Sequence, residues 1–443
     1  MADDAVFDSV CGAARALGVT EVEVIEASHN EALTRFANNA IHQNVAERAR
    51  HLSVRALVDG RTARASTNRT DREAIREVVA QAVALARSSE PDPGLPPLAE
   101  PAGYERPARW FESTARIAPG ERARAVSEAI RVVEAAGQTA AGIYSTGETA
   151  FSLRNSRGVA AYHRETMARF SITAMAADSS GWAKASACDS SALDPVALAR
   201  SAARKATLSR APRELAPGRY TAILEPAAVL DLVGQMFSDF SATAVRDGRS
   251  FLNDRIGKRI FGGNISIHDD ALHPLQSGAA FDGEGVPRRP LTLVEGGVVR
   301  EIAYSRAAAA LDGVQPTGHG FPLPNEFGEA PVNIVIAGGE STVEKMVASA
   351  ERAILVTRLW YIREVDPYEK VFTGMTRDGT FLVEDGAVTA GVRNFRFNQG
   401  LMELLSNVEA LSAPVRASGE ETFDMVAPGM LVRDFRFSEV TRF

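Results

Sequence analysis

The sequence predicts an α+β chain in two parts. Residues 1–215 read as an N-terminal α/β domain built from two similar helix–strands–helix units, and residues 216–443 as a β-rich, antiparallel, barrel-like C-terminal domain. Three observations carry this reading. The order helix, strands, helix recurs in the first half, where Asn38 in RFANNAIHQ matches Asn155 in SLRNSRGVA and Leu52 matches Phe170, at offsets of 117 and 118 residues. Helical periodicity fades beyond Pro217. From there on, Gly296-Gly297 and Asp385-Gly386 stand between alternating apolar runs, the signature of two-residue hairpin turns.

In the first unit, Phe7, Val10, Cys11, Ala14 and Leu17 fall on one helical face, and Gly18 stops that helix. Extended segments follow at Glu21–Ala27, Ala32–Phe36, His51–Val58 and Arg61–Thr67, the last two joined at Asp59-Gly60. A second helix opens at Thr70, with Glu73 completing a capping box, and buries Ile75, Val78, Val79, Ala82 and Ala86. The second unit repeats the order. Its helix at Glu121–Ala136 buries Val126, Ile130 and Val133, and strands follow at Ala140–Thr146, Ala150–Arg154, Arg169–Ala176 and Trp182–Ala187. Asp194 and Pro195 open its closing helix as cap and first position. Between the units, residues 91–119 are rich in proline, which fixes φ and removes donors, so the stretch crosses as extended chain anchored by Trp110 and Phe111.

In the second half, GRYTAILEP reads as a strand and Ala227–Phe237 as a short apolar helix. Strands are expected at Leu291–Glu295, Val298–Ala303, Val332–Ile336, Ala353–Ile362, Lys370–Thr376, Thr380–Glu384, Ala387–Ala390 and MLVRDFRFSEV. Gly313–Pro331, with four prolines and four glycines, reads as a long loop, a kind of segment that often serves function.

Composition narrows the function classes. A formal net charge of −7, from 49 basic and 56 acidic residues, argues against nucleic acid as a partner. The cluster Arg200, Arg204, Lys205, Arg210 and Arg213 then reads as a solvated helix face. Cys11 and Cys188 cannot build a disulfide framework and suit a reducing compartment, where they read as small buried hydrophobes. No signal pattern opens the chain and no apolar run reaches the ~20 residues of a membrane helix, so the expectation is a cytoplasmic protein without a membrane partner.

An ordered series of motifs runs through the chain. Arg246-Asp-Gly-Arg-Ser-Phe-Leu-Asn-Asp-Arg-Ile-Gly257 is followed by Ile267-His-Asp-Asp270, Phe281-Asp-Gly-Glu-Gly-Val-Pro287 and the TLVEGGVV hairpin. PTGHGF (Pro316–Phe321), ILVTRLWYI (Ile354–Ile362) and GTFLVEDGAV (Gly379–Val388) complete it, with TRFANNAIHQN in the first half. The series resembles the TldD/PmbA family, once called modulators of DNA gyrase and now regarded as peptidases. The resemblance implies a two-domain subunit that dimerises around a chamber holding peptide. It also implies two branches. TldD-type subunits resemble metallopeptidases with an HExxxH helix and a later cysteine ligand, in which zinc-activated water attacks the peptide carbonyl; PmbA-type (TldE) subunits lack those ligands and pair with a TldD-type chain. Here the helix after TAILEP contains no histidine and has Asp231 as its one carboxylate, and residues 395–443 contain no cysteine. The resemblance therefore implies a PmbA/TldE-like subunit with no cofactor of its own. Zinc is expected in a TldD-like paralogue with which it forms a heterodimer, a homodimer being the alternative. An autonomous hydrolase and a non-hydrolytic peptide-binding module remain the competing readings.

Six residues are candidates for the peptide chamber. His319, between Gly318 and Gly320, sits where backbone can approach a ligand closely, against the commoner reading of a surface-loop histidine. Asp282 and Glu284 are spaced for paired acid–base work, against the favoured reading of a turn whose carboxylates bind backbone amides. His268 is a further chamber candidate; with His273, five residues on, it could share a metal only through an irregular loop, which Pro274 permits, and a polar loop that caps a turn is the preferred reading. Arg358 and Tyr361 lie on the long Ala353–Ile362 strand, where an extended peptide would add.

Overall fold

In the computed structural model, which describes residues 4–441, helix α1 (Asp4–Ala16) buries Val6, Val10 and Ala14, a spacing that keeps one face inward. The strands β1 (Glu21–Ala37), β2 (Ala40–Val58) and β3 (Arg61–Thr67) follow as antiparallel neighbours. Asp59 and Gly60 both take positive φ, 50° and 70°, as a type I′ hairpin requires. The unit closes with α2 (Arg72–Ser88). Its cap is Asp71, whose carboxylate accepts from the Ala74 N–H at 3.1 Å, and not Thr70 as the sequence pattern suggests.

A single turn, α3 (Glu112–Ala115), interrupts the proline-rich crossing. Then come α4 (Pro119–Ala135), β4 (Thr139–Asn155), β5 (Ala160–Met175), β6 (Ser180–Ala187) and α5 (Pro195–Leu208), the last capped by Asp194 as expected. The six strands form one antiparallel sheet in the order β3-β2-β1-β4-β5-β6, joined at the middle where β1 and β4 pair from Glu23 and Asn155 to Phe36 and Gly142.

The strands are longer than the alternation of apolar residues predicts. Segments expected separately at 21–27 and 32–36, and at 140–146 and 150–154, are single strands, and β2 begins eleven residues before His51. Residues 42–51 of β2 are exposed, so they carry no burial pattern, yet backbone pairing with β1 holds them extended. One face of the sheet is covered by helices, α1 and α2 over Val22, Val24, Leu52 and Val54, and α4 and α5 over Phe36, Tyr144 and Phe170. The other face offers Ile25, Leu153, Val159 and Ala161, and Phe281 of the second half packs there.

The second half begins with β7 (Gly218–Leu224), α6 (Pro226–Val233), α7 (Ala242–Arg246), β8 (Ile267–Asp269), β9 (Leu291–Glu295), β10 (Val298–Val299), α8 (Arg306–Asp312) and β11 (Ile334–Ile336). It continues through α9 (Val343–Ser349), β12 (Arg352–Asp366), β13 (Val371–Glu384), β14 (Ala387–Gly391), β15 (Phe395–Gly400) and α10 (Leu401–Ser406). The last strands are β16 (Val408–Leu411), β17 (Val415–Ala417), β18 (Met425–Ala427) and β19 (Met430–Val440). The circuit β12-β7-β19-β15-β13, closed by β13 pairing with β12, is a five-stranded barrel. Barrel closure matches the expectation, but pure antiparallel pairing does not, because β7 runs parallel to β12. A second sheet, β10-β9-β8-β11-β18-β17, is also mixed, with β11 parallel to β18. Chain returning through α6 or a long loop enters a sheet from the same end, which the hairpin signals do not encode. Among the described residues, no helix is long and apolar enough to cross a membrane.

The barrel is filled by Phe395, Phe397, Phe435 and Phe437, all fully buried, with ring centroids as close as 4.7 Å. Truncating one leaves a cavity that the closed strands cannot collapse. We expect Phe435→Ala to cost about 3–5 kcal/mol in chemical denaturation, and Phe435→Leu clearly less.

Candidate functional site

The loop Phe281–Pro287 is built on one buried carboxylate. Asp282 accepts the N–H groups of Glu284 (2.9 Å) and Val286 (2.8 Å) through Oδ1 and that of Gly320 (2.8 Å) through Oδ2. This draws the 313–331 loop against the turn, so that a Cβ at Gly320 would lie 2.2 Å from Glu284 Oε2. Only glycine fits that approach. Glu284 accepts the first N–H of α8, from Arg306, at 2.9 Å, while its Oε1 is buried without a hydrogen bond. Burial, reinforced by the Asp282 charge, pushes the Glu284 carboxyl up to about 8.

His319 lies in the same cluster and is 1% exposed. Its Nδ1 meets Thr317 Oγ1 at 3.0 Å, and its Nε2 lies 3.1 Å from Asp269 Oδ1. Asp269 also accepts the N–H groups of Val332 and Asn333 at 2.6 and 2.7 Å. Burial works to raise the Asp269 carboxyl, but the histidine beside it holds it below the ordinary range. The structure thus brings His319, Asp282 and Glu284 together as buried supports, with neither His319 nor the carboxylates at the surface. His268 precedes Asp269 on β8, half-buried, between Val335 and Thr292. His273 accepts the Leu275 N–H at 3.2 Å, a turn cap as preferred above.

Arg358 and Tyr361 lie on β12, away from that cluster in sequence. Arg358 is buried, its Nε 3.0 Å from Asp378 Oδ2 and its guanidinium over the rings of Trp182 and Trp360 at 4.9 and 5.4 Å. Tyr361 is 50% exposed, and its N–H donates to Glu421 Oε1 at 2.8 Å.

Beside these two, α6 occupies the place where the family resemblance expects metal ligands. Asp231 is fully buried; its Oδ1 accepts the N–H groups of Glu420 and Glu421 at 2.9 and 3.1 Å, and its Oδ2 that of Leu359 at 3.4 Å. A Cβ at Gly419 would lie 2.1 Å from that Oδ1, so the 418–421 segment seats directly on the carboxylate. Burial nevertheless pushes Asp231 up to about 6. Among the described residues, no three His, Cys, Asp or Glu side chains gather as metal ligands. Burial raises both thiols, Cys11 and Cys188, the opposite of what a nucleophile needs.

Sequence reasoning missed several buried charges. Glu23 meets Arg64 at 2.5 Å and Arg55 at 3.7 Å on the sheet face that receives the Phe281 turn, and Arg64 Nε donates to Leu323 O at 2.8 Å. Lys205, read as part of a solvated face, is instead buried against Glu225 at 2.6 Å. Periodicity placed the first three on strands, but nothing in one sequence announces which charged strand residue faces inward.

Three sequence models of PmbA/TldA metallopeptidases match this chain: domain 1 over residues 22–86, the central domain over 112–210 and the C-terminal domain over 217–439. The chain belongs to the PmbA/TldD family. Among curated relatives, a metalloprotease of Methanothermobacter thermautotrophicus is 22% identical over 45% of this chain and 44% of its own length. A TldD-homologue metalloprotease of Buchnera aphidicola is 23% identical over 47% and 44%. The chain thus spans less than half the length of these relatives. Among solved structures, TldE of Thermococcus kodakarensis superposes with a TM-score of 0.88 over 98% of this chain and all of its own, at 19% identity. A Thermotoga maritima protein described as a DNA gyrase modulator gives 0.86 over 98% and 100%, at 21%. At these identities the likeness is one of fold.

The raised Glu284 carboxyl has a stability consequence for this PmbA/TldD-family chain. Folding favours its protonated form, so that stabilisation is full below about pH 4, near the unfolded value, and is lost as pH rises through about 8. Glu284→Gln keeps a neutral side chain at every pH. We expect the melting temperature of the parent to fall from pH 5 to pH 9 relative to this variant, with a gap on the order of 3 kcal/mol at the alkaline end. Parallel pH profiles would remove Glu284 as the titrating group.

Proposed function

We propose that this chain is a PmbA/TldE-like subunit of a cytoplasmic TldD-type metallopeptidase complex that acts on peptides or unfolded segments. The observation that carries the reading is α6. Where the catalytic branch of the family needs a histidine-bearing helix, this one has none, and its Asp231 carboxylate is spent on three backbone N–H groups. Zinc needs three or four converging donors, and these residues do not fit it. The zinc chemistry is therefore assigned to a TldD-like partner, and this chain to the chamber wall. A second copy of the chain is the alternative partner.

On this reading Tyr361, half-exposed on β12, is placed to meet an extended peptide. His319, Asp282 and Glu284 brace the 281–287 turn and the loop beside it, His268 lies on β8, and Arg358 is held on β12 by Asp378. The proposal also takes residues 1–215 as two copies of one unit and residues 216–443 as a second domain. Supporting this, helix, three strands and helix occur twice in order, and β1 pairs with β4 at the sheet centre. The metalloprotease names of the curated relatives and the TldE fold support the family activity.

The test is to purify the chain alone and together with an HExxxH-bearing paralogue, measuring zinc by atomic absorption and cleavage of an unfolded polypeptide. We expect neither zinc nor cleavage from the isolated chain, and chelator-sensitive cleavage from the pair. Stoichiometric zinc with cleavage by the chain alone would overturn the assignment in favour of an autonomous hydrolase. Peptide retention without cleavage in either sample would favour a binding module.

A further inference from the structure

A cleft of about 620 Å³ opens between the first sheet and the loops of the second half. Four cations line it: Arg169 on β5, Lys184 on β6, Arg288 just after the Phe281 turn and Arg416 on β17, against a single lining carboxylate among the described residues, Asp424. The chain as a whole carries a net charge of −7, so this is a local reversal of sign.

The four are not equally free. Arg416 is committed, donating to Ser186 Oγ (2.9 Å), Leu275 O (2.9 Å), Ser277 Oγ (3.2 Å) and Asp424 Oδ2 (3.1 Å). It neutralises Asp424 and forms the floor. Lys184 reaches Gly419 O at 2.5 Å and Glu420 at 3.2 Å, leaving part of its donor capacity. Arg169 approaches Asp424 only to 3.8 Å and is 45% exposed. Arg288 is the informative one. Its Nη1 makes no hydrogen bond, while the buried carboxylates of Asp269 and Asp282 lie near enough to act on its charge. Arg288 also lines the cleft, half-buried, so its guanidinium adds to the positive field that an entering anion meets. The cleft is far larger than one carboxylate, and Phe423, 42% exposed, gives it an apolar wall, so it suits an anion carried on a longer chain.

We propose that this cleft binds a carboxylate of an extended peptide, either an acidic side chain or the free C-terminus, on Arg169, Lys184 and Arg288. The inference rests on the peptide-binding reading above and adds to it a substrate class: acidic or C-terminal segments, selected against the chain's overall negative field.

Fluorescence anisotropy on the purified full chain tests it with four matched, labelled peptides: glutamate-bearing or glutamine-bearing, each with a free or an amidated C-terminus. The carboxylate-bearing peptide should bind roughly tenfold more tightly than the neutral one, with an advantage that shrinks as salt rises. The glutamate and C-terminal arms show which source supplies the carboxylate. Arg169→Gln, at an exposed position, should cut the advantage severalfold, and Arg169→Lys should keep most of it. Arg288→Gln should abolish it, with the thermal melt as a check on folding; if that variant does not fold, the Arg169 pair decides. Equal affinity for all four peptides, or a preference that survives Arg169→Gln, would overturn this inference and leave the subunit reading standing. Binding of no peptide would overturn both. Tighter binding of a single-stranded oligonucleotide than of any peptide would also overturn it.

Discussion

The two halves of the molecule meet on a turn held by a buried carboxylate. Asp282 gathers three backbone N–H groups, two from its own turn and one from Gly320, a segment some forty residues away. That single group shapes the turn that sets Phe281 against Phe151 and Tyr104 on the open face of the first sheet, at centroid distances of 5.7 and 5.0 Å. It also aims Glu284 at the start of α8. Around the contact, Glu23 and Arg55 are removed from water together, with Arg64 partly buried beside them. Breaking such a set from one side costs about 3–5 kcal/mol, because the remaining charge has nowhere to go. The interface is therefore specific in register as well as apolar.

Most of the architecture was legible because it follows from periodicity and turn chemistry. The helices over Arg72–Ser88 and Pro119–Ala135 came from apolar spacing, and the hairpins from Asp59-Gly60, Gly296-Gly297 and Asp385-Gly386. Strand length was not legible, because residues 42–51 are extended by pairing alone and show no inward face. Parallel pairing of β7 with β12 was hidden for a similar reason: it depends on which end the chain enters, not on local composition.

The candidate site divides along the same line. The motifs at 281–287 and 316–321 were found, and the amide-binding reading of Asp282 agrees with its geometry. The commoner surface-loop reading of His319 does not hold, since the side chain is 1% exposed. The close approach expected of its flanking glycines is made inside the protein, where Gly320 seats against Glu284. The cluster of Arg169, Lys184, Arg288 and Arg416 comes from four separate strands and loops, and beyond the β5–β6 hairpin that carries the first two, its members are more than a hundred residues apart. Asp231 was noticed as the lone carboxylate of its helix, but its partners at Leu359, Glu420 and Glu421 are more than a hundred residues distant.

The central pairing of the first sheet has a kinetic side. β1 and β2 are joined by a two-residue turn and zip locally, as do β4 and β5 across theirs. The seam between β1 and β4 is different: Phe36 must find Gly142, and Glu23 must find Asn155, across more than a hundred residues of intervening chain. Closing so long a loop is entropically slow compared with hairpin formation. Until that seam closes, β1 and β4 each present an unpaired edge. A different edge persists in the finished sheet: β3 pairs only with Leu52–Val58 of β2, and the charged, exposed run Glu47-Arg48-Ala49-Arg50 beyond it discourages a neighbouring molecule from adding a strand there.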